Sequence, residues 1–275
     1  MFRGQYVHTI DDKGRLSIPA KLREALGKDR TLILTSFEAF ITAFPMKAWR
    51  NMEERGITAL YRFLIERGYA LPLQDPLQGK GEFSEAMWNI ANHAWGEAMA
   101  GRANGRLLDI IAATGARFGM VFDDETQMQA ARVYTAGVGD GAFPLDGARE
   151  TLRELKERGL RLGLLSNTMW PSQFHEEELM RFGLIEFLDV LVFSCEVGLW
   201  KPNAPAFRYV IGRLGVSPSE AVFVGDQPPI DVVGAQSAGL RAVWIATDGI
   251  ELGDVHPDAV IHRLAELPDV LDNLQ

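Results

Sequence analysis

The stretch "VFVGDQPPID" (residues 222–231) sets a short apolar run, Val222 to Val224, against a glycine and then two carboxylates, Asp226 and Asp231. An apolar run of this length that stops at Gly-Asp reads as a buried strand delivering charge at its carboxyl end. The same grammar recurs on either side. "LRLGLLSNT" is a strand ending in Ser166, Asn167 and Thr168, "LDVLVFS" leads to Lys201 just before Pro202, and "RAVWIA" is a further apolar strand. Helical patterns separate them: "GARETLRELKERG", "HEEELMRFGL", "NAPAFRYVIGRLG" and "PIDVVGAQSAG". Strands about thirty residues apart with helices between them predict an α/β fold with a doubly wound parallel sheet. In such sheets ligands sit beyond the carboxyl ends of the strands. A hydroxyl, an ammonium and two carboxylates on that rim suit a phosphoryl group held with Mg²⁺, a hard cation that takes carboxylate and water oxygens.

Three of these stretches, "LLSNT", "VGLWKPNAPAF" and "VFVGDQPPIDVVGAQSAGL", resemble motifs two, three and four of the haloacid dehalogenase (HAD) superfamily, in order and at its spacing. The resemblance covers about residues 56–275. It implies a Mg²⁺-dependent phosphohydrolase acting on a phosphorylated small molecule. Ser166 and Asn167 would contact the phosphoryl oxygens, Lys201 would stabilise their charge, and Asp226 with Asp231 would hold the metal. The helical stretch before residue 140 would be a cap over the site.

The family's reaction starts with an aspartate, in an Asp-x-Asp-x-Thr pattern after a strand that lies mid-sheet and precedes the cap. The stretch in that place here, "TLILTSFEAF", puts Thr35 where the nucleophile belongs and Phe37 where the acid/base belongs. Threonine needs an adjacent base, and phenylalanine moves no proton. A second acidic stretch, "MVFDDETQ", offers Asp123, Asp124 and Glu125, but it falls after most of the cap and lacks the spacing. It reads as a solvated loop. The nucleophile is therefore unassigned, and the expected activity is weak or absent.

The head of the chain follows other rules. "QYVHTI" and "RLSIP" are short strands around the turn "DDKG", "PAKLREALG" is a compact helix, and "TLILTSF" with "AFITAFP" forms two strands joined near Glu38. Residues 1–54, with "DDKGRLSIPAKLREALG" the most specific part, resemble the MraZ branch of the AbrB-like transcription factors. That resemblance implies a small swapped-hairpin β-rich segment, a homo-oligomer, and contact with DNA by Arg3, Lys13 and Arg15. Only one of the two repeats of that family is present, so a second chain would be needed to complete a barrel. The two resemblances compete for residues 31–44. The hairpin is the expected outcome, with recruitment of "TLILT" into the parallel sheet as the alternative.

Between these parts, "MKAWRNMEERG", "ITALYRFLIERG", "FSEAMWNIANHAWGEAMA" and "GRLLDIIAATGARFG" place apolar residues three and four apart, as helices do. "LPLQDPLQGKG" and "TAGVGDGAFPLDG" read as breaks. The expected organisation is a β-rich segment over 1–54, a helical cap over 55–140 and an α/β core over 141–275.

Residues 1–55 carry ten Lys/Arg against seven Asp/Glu, while the whole 275-residue chain has a net charge of -9. A mildly basic head on an acidic body confines any nucleic-acid binding to the head. The lone cysteine, Cys195, excludes an internal disulfide and a cysteine-built metal site. No apolar stretch is long enough for a membrane span, and the start lacks the apolar core of a secretory signal, so a cytoplasmic protein is expected. The alternative to a phosphohydrolase is a DNA-binding transcriptional regulator with a non-catalytic HAD-like body.

Overall fold

The computed structural model describes residues 32–37, 40–69, 76–138, 144–246 and 250–274, with side chains from residue 53 onward and, in the second helix, from residue 80. Strands β1 (Leu32–Phe37) and β2 (Phe40–Pro45) pair antiparallel, Thr35 opposite Thr42 and Phe37 opposite Phe40. Of the two outcomes open for "TLILT", the hairpin is the one observed.

Four helices follow: α1 (Met46–Glu66), α2 (Pro76–Met99), α3 (Leu107–Arg117) and α4 (Asp124–Val138). Three of the expected breaks differ. "MKAWRNMEERG" and "ITALYRFLIERG" form one continuous helix through Gly56, a residue that reads as a terminator. Its absent side chain lets α1 and α4 cross: a Cβ on Gly56 would meet Val138 Cγ2 at 2.6 Å, and one on Gly137 would meet the Gly56 Cα at 2.8 Å. Packing, not termination, explains this glycine. "PLQGKG" belongs to α2, whose first residue, Pro76, has its φ already set for a helix. "DETQ" opens α4, and Asp123 Oδ1 accepts the Thr126 N–H at 2.7 Å as a cap. The solvated loop expected at Asp123, Asp124 and Glu125 is thus a helix start. Leu60, Leu64, Phe83, Met87, Ile110, Ile111 and Phe122 form the core of this helical part.

From residue 144 the chain alternates: α5 (Ala148–Glu157), β3 (Gly163–Ser166), α6 (Ser172–Arg181), β4 (Val190–Phe193), the single turn α7 (Ser194–Val197), α8 (Ala204–Leu214), β5 (Val222–Gly225), α9 (Val233–Ser237), β6 (Arg241–Ile245), β7 (Ala259–Ile261) and α10 (Leu267–Asn273). All pairings among β3 to β7 are parallel, as expected. Residues of β6 alternate between two cores. Ala242 and Trp244 join Phe207, Val210 and Ile211 of α8 and Ala235 of α9, whereas Val243 and Ile245 join Leu155 of α5 and Leu267 of α10. Helices therefore cover both faces, the layering of a doubly wound sheet.

The pairing is nevertheless interrupted. β3 bonds to β4, and β5 to β6 to β7, in two separate groups rather than one sheet. Both groups rest on α8. Gly163 of β3 faces Leu214 and Val210, and the ring of Phe223 in β5 meets Phe207 edge-on at 4.9 Å. No helix among the described residues is long and apolar enough to cross a membrane.

Candidate active site

The rim of the two strand groups carries five of the expected residues, Ser166, Asn167, Lys201, Asp226 and Asp231. Asn167, just past β3, brackets Lys201: its side-chain amide donates to the Lys201 carbonyl at 2.8 Å, and its Oδ1 accepts the Lys201 N–H at 2.9 Å. The loop carrying the lysine is thereby fastened to the end of β3. The side chain of Lys201 passes over the ring of Phe223, 5.2 Å from its centre, and donates to Asp231 Oδ1 at 2.9 Å. Both ends of that ion pair are withdrawn from water, the lysine 14% exposed and the aspartate 3%.

Asp231 is held from a second side as well. Its Oδ2 accepts the Gln227 N–H at 3.0 Å. The carboxyl folds back on Gly225, where a Cβ would lie 2.4 Å from the Asp231 carboxyl carbon. Only glycine leaves this cradle open, so "GDQPPID" works as one unit: glycine to make room, a turn to aim an N–H, a carboxylate to fill it. Asp226 stands at the end of β5, its carbonyl accepting the indole N–H of Trp244 at 3.0 Å. No cluster of three or more acidic, histidine or thiol groups forms among the described residues. Two carboxylates with phosphate and waters still satisfy Mg²⁺, which keeps several waters in octahedral sites. Asp226 and Asp231 are donors of the type Mg²⁺ takes, and both oxygens of Asp231 already have partners in Lys201 and the Gln227 N–H.

Ser166 and Lys201 line one cavity of about 320 Å³ together with Leu145, Leu164, Leu165 and Leu264. His175 and Glu178 of α6 open onto the same cavity, a pair that sequence reasoning did not single out. His175 Nε2 lies 2.8 Å from Thr168 Oγ1, and its Nδ1 lies 3.6 Å from a Glu178 oxygen. The ring stacks between Trp170 and Phe193. Burial pushes its pKa down to about 4, outweighing the nearby carboxylate and keeping the ring neutral at pH 7. The Thr168 hydroxyl also accepts the Trp170 N–H at 3.0 Å. A lone histidine nine residues after the serine gives no periodic or motif signal, which is why it escapes a reading of the sequence.

The helical part reaches the site through the loop after α2. Asn104 donates to the Cys195 carbonyl at 2.7 Å and accepts the indole N–H of the buried Trp200 at 3.1 Å. Trp95 of α2 meets Trp200 edge-on at 5.4 Å. Cys195 is buried and its thiol pKa is pushed up to about 12 by burial, so it is a structural thiol.

Thr35 and Phe37 lie in the hairpin, where their backbones pair with Thr42 and Phe40. Asp123 caps α4. Neither stretch supplies an acid to the rim. Arg3, Lys13 and Arg15 lie outside the described residues.

The chain resembles known proteins. Residues 31–239 match the haloacid dehalogenase-like hydrolase family, and residues 1–59 match the MraZ protein family, so both claim 31–59. The chain is 29% identical over 226 residues to a glyceraldehyde 3-phosphate phosphatase of Methanocaldococcus jannaschii, covering 76% of this chain and 98% of that one. It is 42% identical over 104 residues to a phosphoserine phosphatase of Thermus thermophilus, covering 38% of this chain and 41% of the relative. A glyceraldehyde 3-phosphate phosphatase of Methanothermobacter thermautotrophicus is 34% identical over 134 residues, and the chain spans 58% of its length. Among solved structures, a 2-haloacid dehalogenase of Pseudomonas syringae pv. Tomato superposes with a TM-score of 0.55 at 26% identity, over 82% of this chain and 92% of that one. With more than half of its length matched, the chain belongs to the haloacid dehalogenase-like hydrolase family.

Proposed function

We propose that this chain binds phosphorylated small molecules with Mg²⁺ at the rim formed by β3, β5 and the Lys201 loop, and hydrolyses them slowly or not at all. The observation that carries this reading is the Lys201–Asp231 pair, aimed across the gap between the two strand groups at the edge where Ser166 stands. Ser166 would donate to a phosphoryl oxygen, and Lys201 would balance the charge that builds up on the equatorial oxygens. Asp226 and Asp231 would hold Mg²⁺, whose chemistry there is to neutralise and orient phosphate oxygens. Asn167 acts at one remove, by fixing the backbone of Lys201. The helices of residues 55–140 would serve as the cap, touching the site through Asn104 and Trp200.

The attacking group is unassigned. Hydrolysis in this family needs a carboxylate in line with phosphorus, and the position it would occupy carries Thr35, held in the hairpin. The test is turnover of p-nitrophenyl phosphate with and without Mg²⁺. Rates near the uncatalysed background support the reading. Robust turnover abolished by Asp123→Asn would replace it with an enzyme that uses the acids at the start of α4.

The match of residues 1–59 to the MraZ family favours a second reading, a DNA-binding regulator whose body senses a phosphorylated ligand. Its phosphate contacts would come from Arg3, Lys13 and Arg15 in a homo-oligomer. It requires retardation of duplex DNA at low salt that weakens as salt rises and in Arg15→Ala. A confirmed dimer that leaves DNA unretarded removes it.

A further inference from the structure

We propose that Asn104, on the loop joining α2 to α3, is a positioning residue for Lys201, so that the helical part of the chain fixes the cation of the rim. Its consequence for phosphate rests on the function proposed above; its grip on Lys201 does not.

A lysine carries its charge on a flexible four-carbon stem, so its backbone must be fixed before the charge can meet a ligand in a repeatable place. Residues 198–203, which carry Lys201 between α7 and α8, are neither helix nor strand. Asn167 holds the N–H and the C=O of Lys201 itself. It makes no such bond to residues 195–200, the chain that leads into the lysine, and that is where Asn104 acts.

One amide staples both ends of that segment. Asn104 Nδ2 donates to the Cys195 carbonyl at 2.7 Å, and its Oδ1 accepts the Trp200 indole N–H at 3.1 Å. Each partner needs such a bond. Cys195 lies in α7, a single turn whose carbonyls have few helical partners, and Trp200 is buried with a polar N–H. Asparagine offers a donor and an acceptor side by side, which matches this pair. Trp200 immediately precedes Lys201, so the anchored indole sets where the backbone of the lysine begins. Asn104 itself is exposed, yet both ends of its amide are engaged 91 and 96 residues further along the chain rather than with water.

The staple is itself well seated. The Leu107 N–H donates to the Met169 carbonyl at 2.7 Å, two residues past Asn167. Gly105 is buried at a close approach: a Cβ there would lie 3.0 Å from Met169 Cε and 3.4 Å from Trp200 Cζ2. Residues 104–107 are therefore wedged between the loop after β3 and the loop that carries Lys201, the same two loops that Asn167 joins. Lys201 is gripped from the core by Asn167 and from the helical part by Asn104.

Asn104→Ala and Asn104→Asp in the full chain test this. The aspartate keeps the acceptor for Trp200 and loses the donor to Cys195. The first readout is amide exchange followed residue by residue, with the Lys201 N–H, which bonds to Asn167 and not to Asn104, as reporter. Its exchange is expected to speed about tenfold or more in Asn104→Ala and by less in Asn104→Asp, while the amides of β6 are unchanged. An unchanged Lys201 N–H, or equal acceleration throughout the chain, overturns the proposal. The second readout is calorimetric titration of inorganic phosphate with Mg²⁺. Asn104→Ala is expected to weaken binding about fivefold or more in the parent chain and to have no effect in a Lys201→Met background. The same loss in both backgrounds would mark Asn104 as merely structural and overturns the proposal too. A parent chain that binds no phosphate removes the rim reading, and the exchange of the Lys201 N–H then decides the role of Asn104 alone.

Discussion

Lys201 Nζ lies 2.9 Å from Asp231 Oδ1, and the two charges neutralise each other where almost no water reaches. Thirty residues of chain separate them, so the contact ties the loop after β4 to the end of β5 across the interruption in the sheet. Removing one partner leaves the other buried and uncompensated. Asp231→Ala is expected to cost about 3–5 kcal/mol in denaturant unfolding, whereas Lys201→Met with Asp231→Leu recovers most of that loss. Equal losses in the single and double variants would show that the pair is not what stabilises this corner.

Gly225 makes a separate prediction. Its Cβ would fall 2.4 Å from the Asp231 carboxyl, so Gly225→Ala must push that side chain off Lys201 and off the Gln227 N–H. The expected cost is about 1–3 kcal/mol, the usual range for overpacking. The Asp231 Cβ would also lie 2.5 Å from the added methyl, so the clash is relieved only when that carbon is removed too, and in the Asp231→Gly background the same substitution is expected to cost much less. An undiminished cost there would place the clash elsewhere.

The α1–α4 crossing is tested at Gly56. A methyl group added there would lie 2.6 Å from Val138 Cγ2 and 2.8 Å from the Tyr134 carbonyl oxygen. Gly56→Ala therefore forces the helices apart despite alanine's better helix propensity. Thermal unfolding is expected at lower temperature than for the parent chain. A rise would mean that propensity, not contact, governs this position.

His175 predicts a pH dependence. Its folded pKa of about 4 lies below its ordinary 6.5, so the unfolded chain takes the proton first. Its contribution is complete above about pH 6.5, declines as pH falls from 6.5 toward 4, and levels off below. The total is on the order of 3 kcal/mol. Glu178 is the acidic group facing it and limits the loss by attracting the charged ring. Unfolding free energies of the parent and His175→Gln, compared from about pH 7 to pH 4, are expected to converge as pH falls. A constant difference across that range would exclude burial of a neutral ring as the cause.

Strands β3, β4 and β5 are legible in the sequence because each announces itself twice, by an apolar run and by the polar residues that follow it; β6 shows its apolar run alone, and the three-residue β7 does not stand out. Lys201 and Asp231 are legible for the same reason, as charges at strand ends that a parallel sheet brings together. Gly56 misleads because a glycine inside a helical pattern looks the same whether it ends the helix or lets a neighbour approach. That difference lives in α4, far along the chain. Asp123 misleads as a loop residue because capping depends on the helix that the following residues go on to form. Gly225 and His175 stay hidden: the first is fixed by a side chain folding back from Asp231, and the second by stacking between Trp170 and Phe193. The interruption between β3 and β5 has no local signature in the sequence.

The proposed rim pocket would take phosphate with Mg²⁺ through Ser166, Lys201, Asp226 and Asp231, its attacking group unassigned. Calorimetric titration of inorganic phosphate into the full chain, with and without Mg²⁺, tests it most directly. The account predicts saturable, Mg²⁺-dependent binding that Lys201→Ala weakens by about tenfold or more. Absence of binding heat, or binding indifferent to both Mg²⁺ and Lys201, would contradict it.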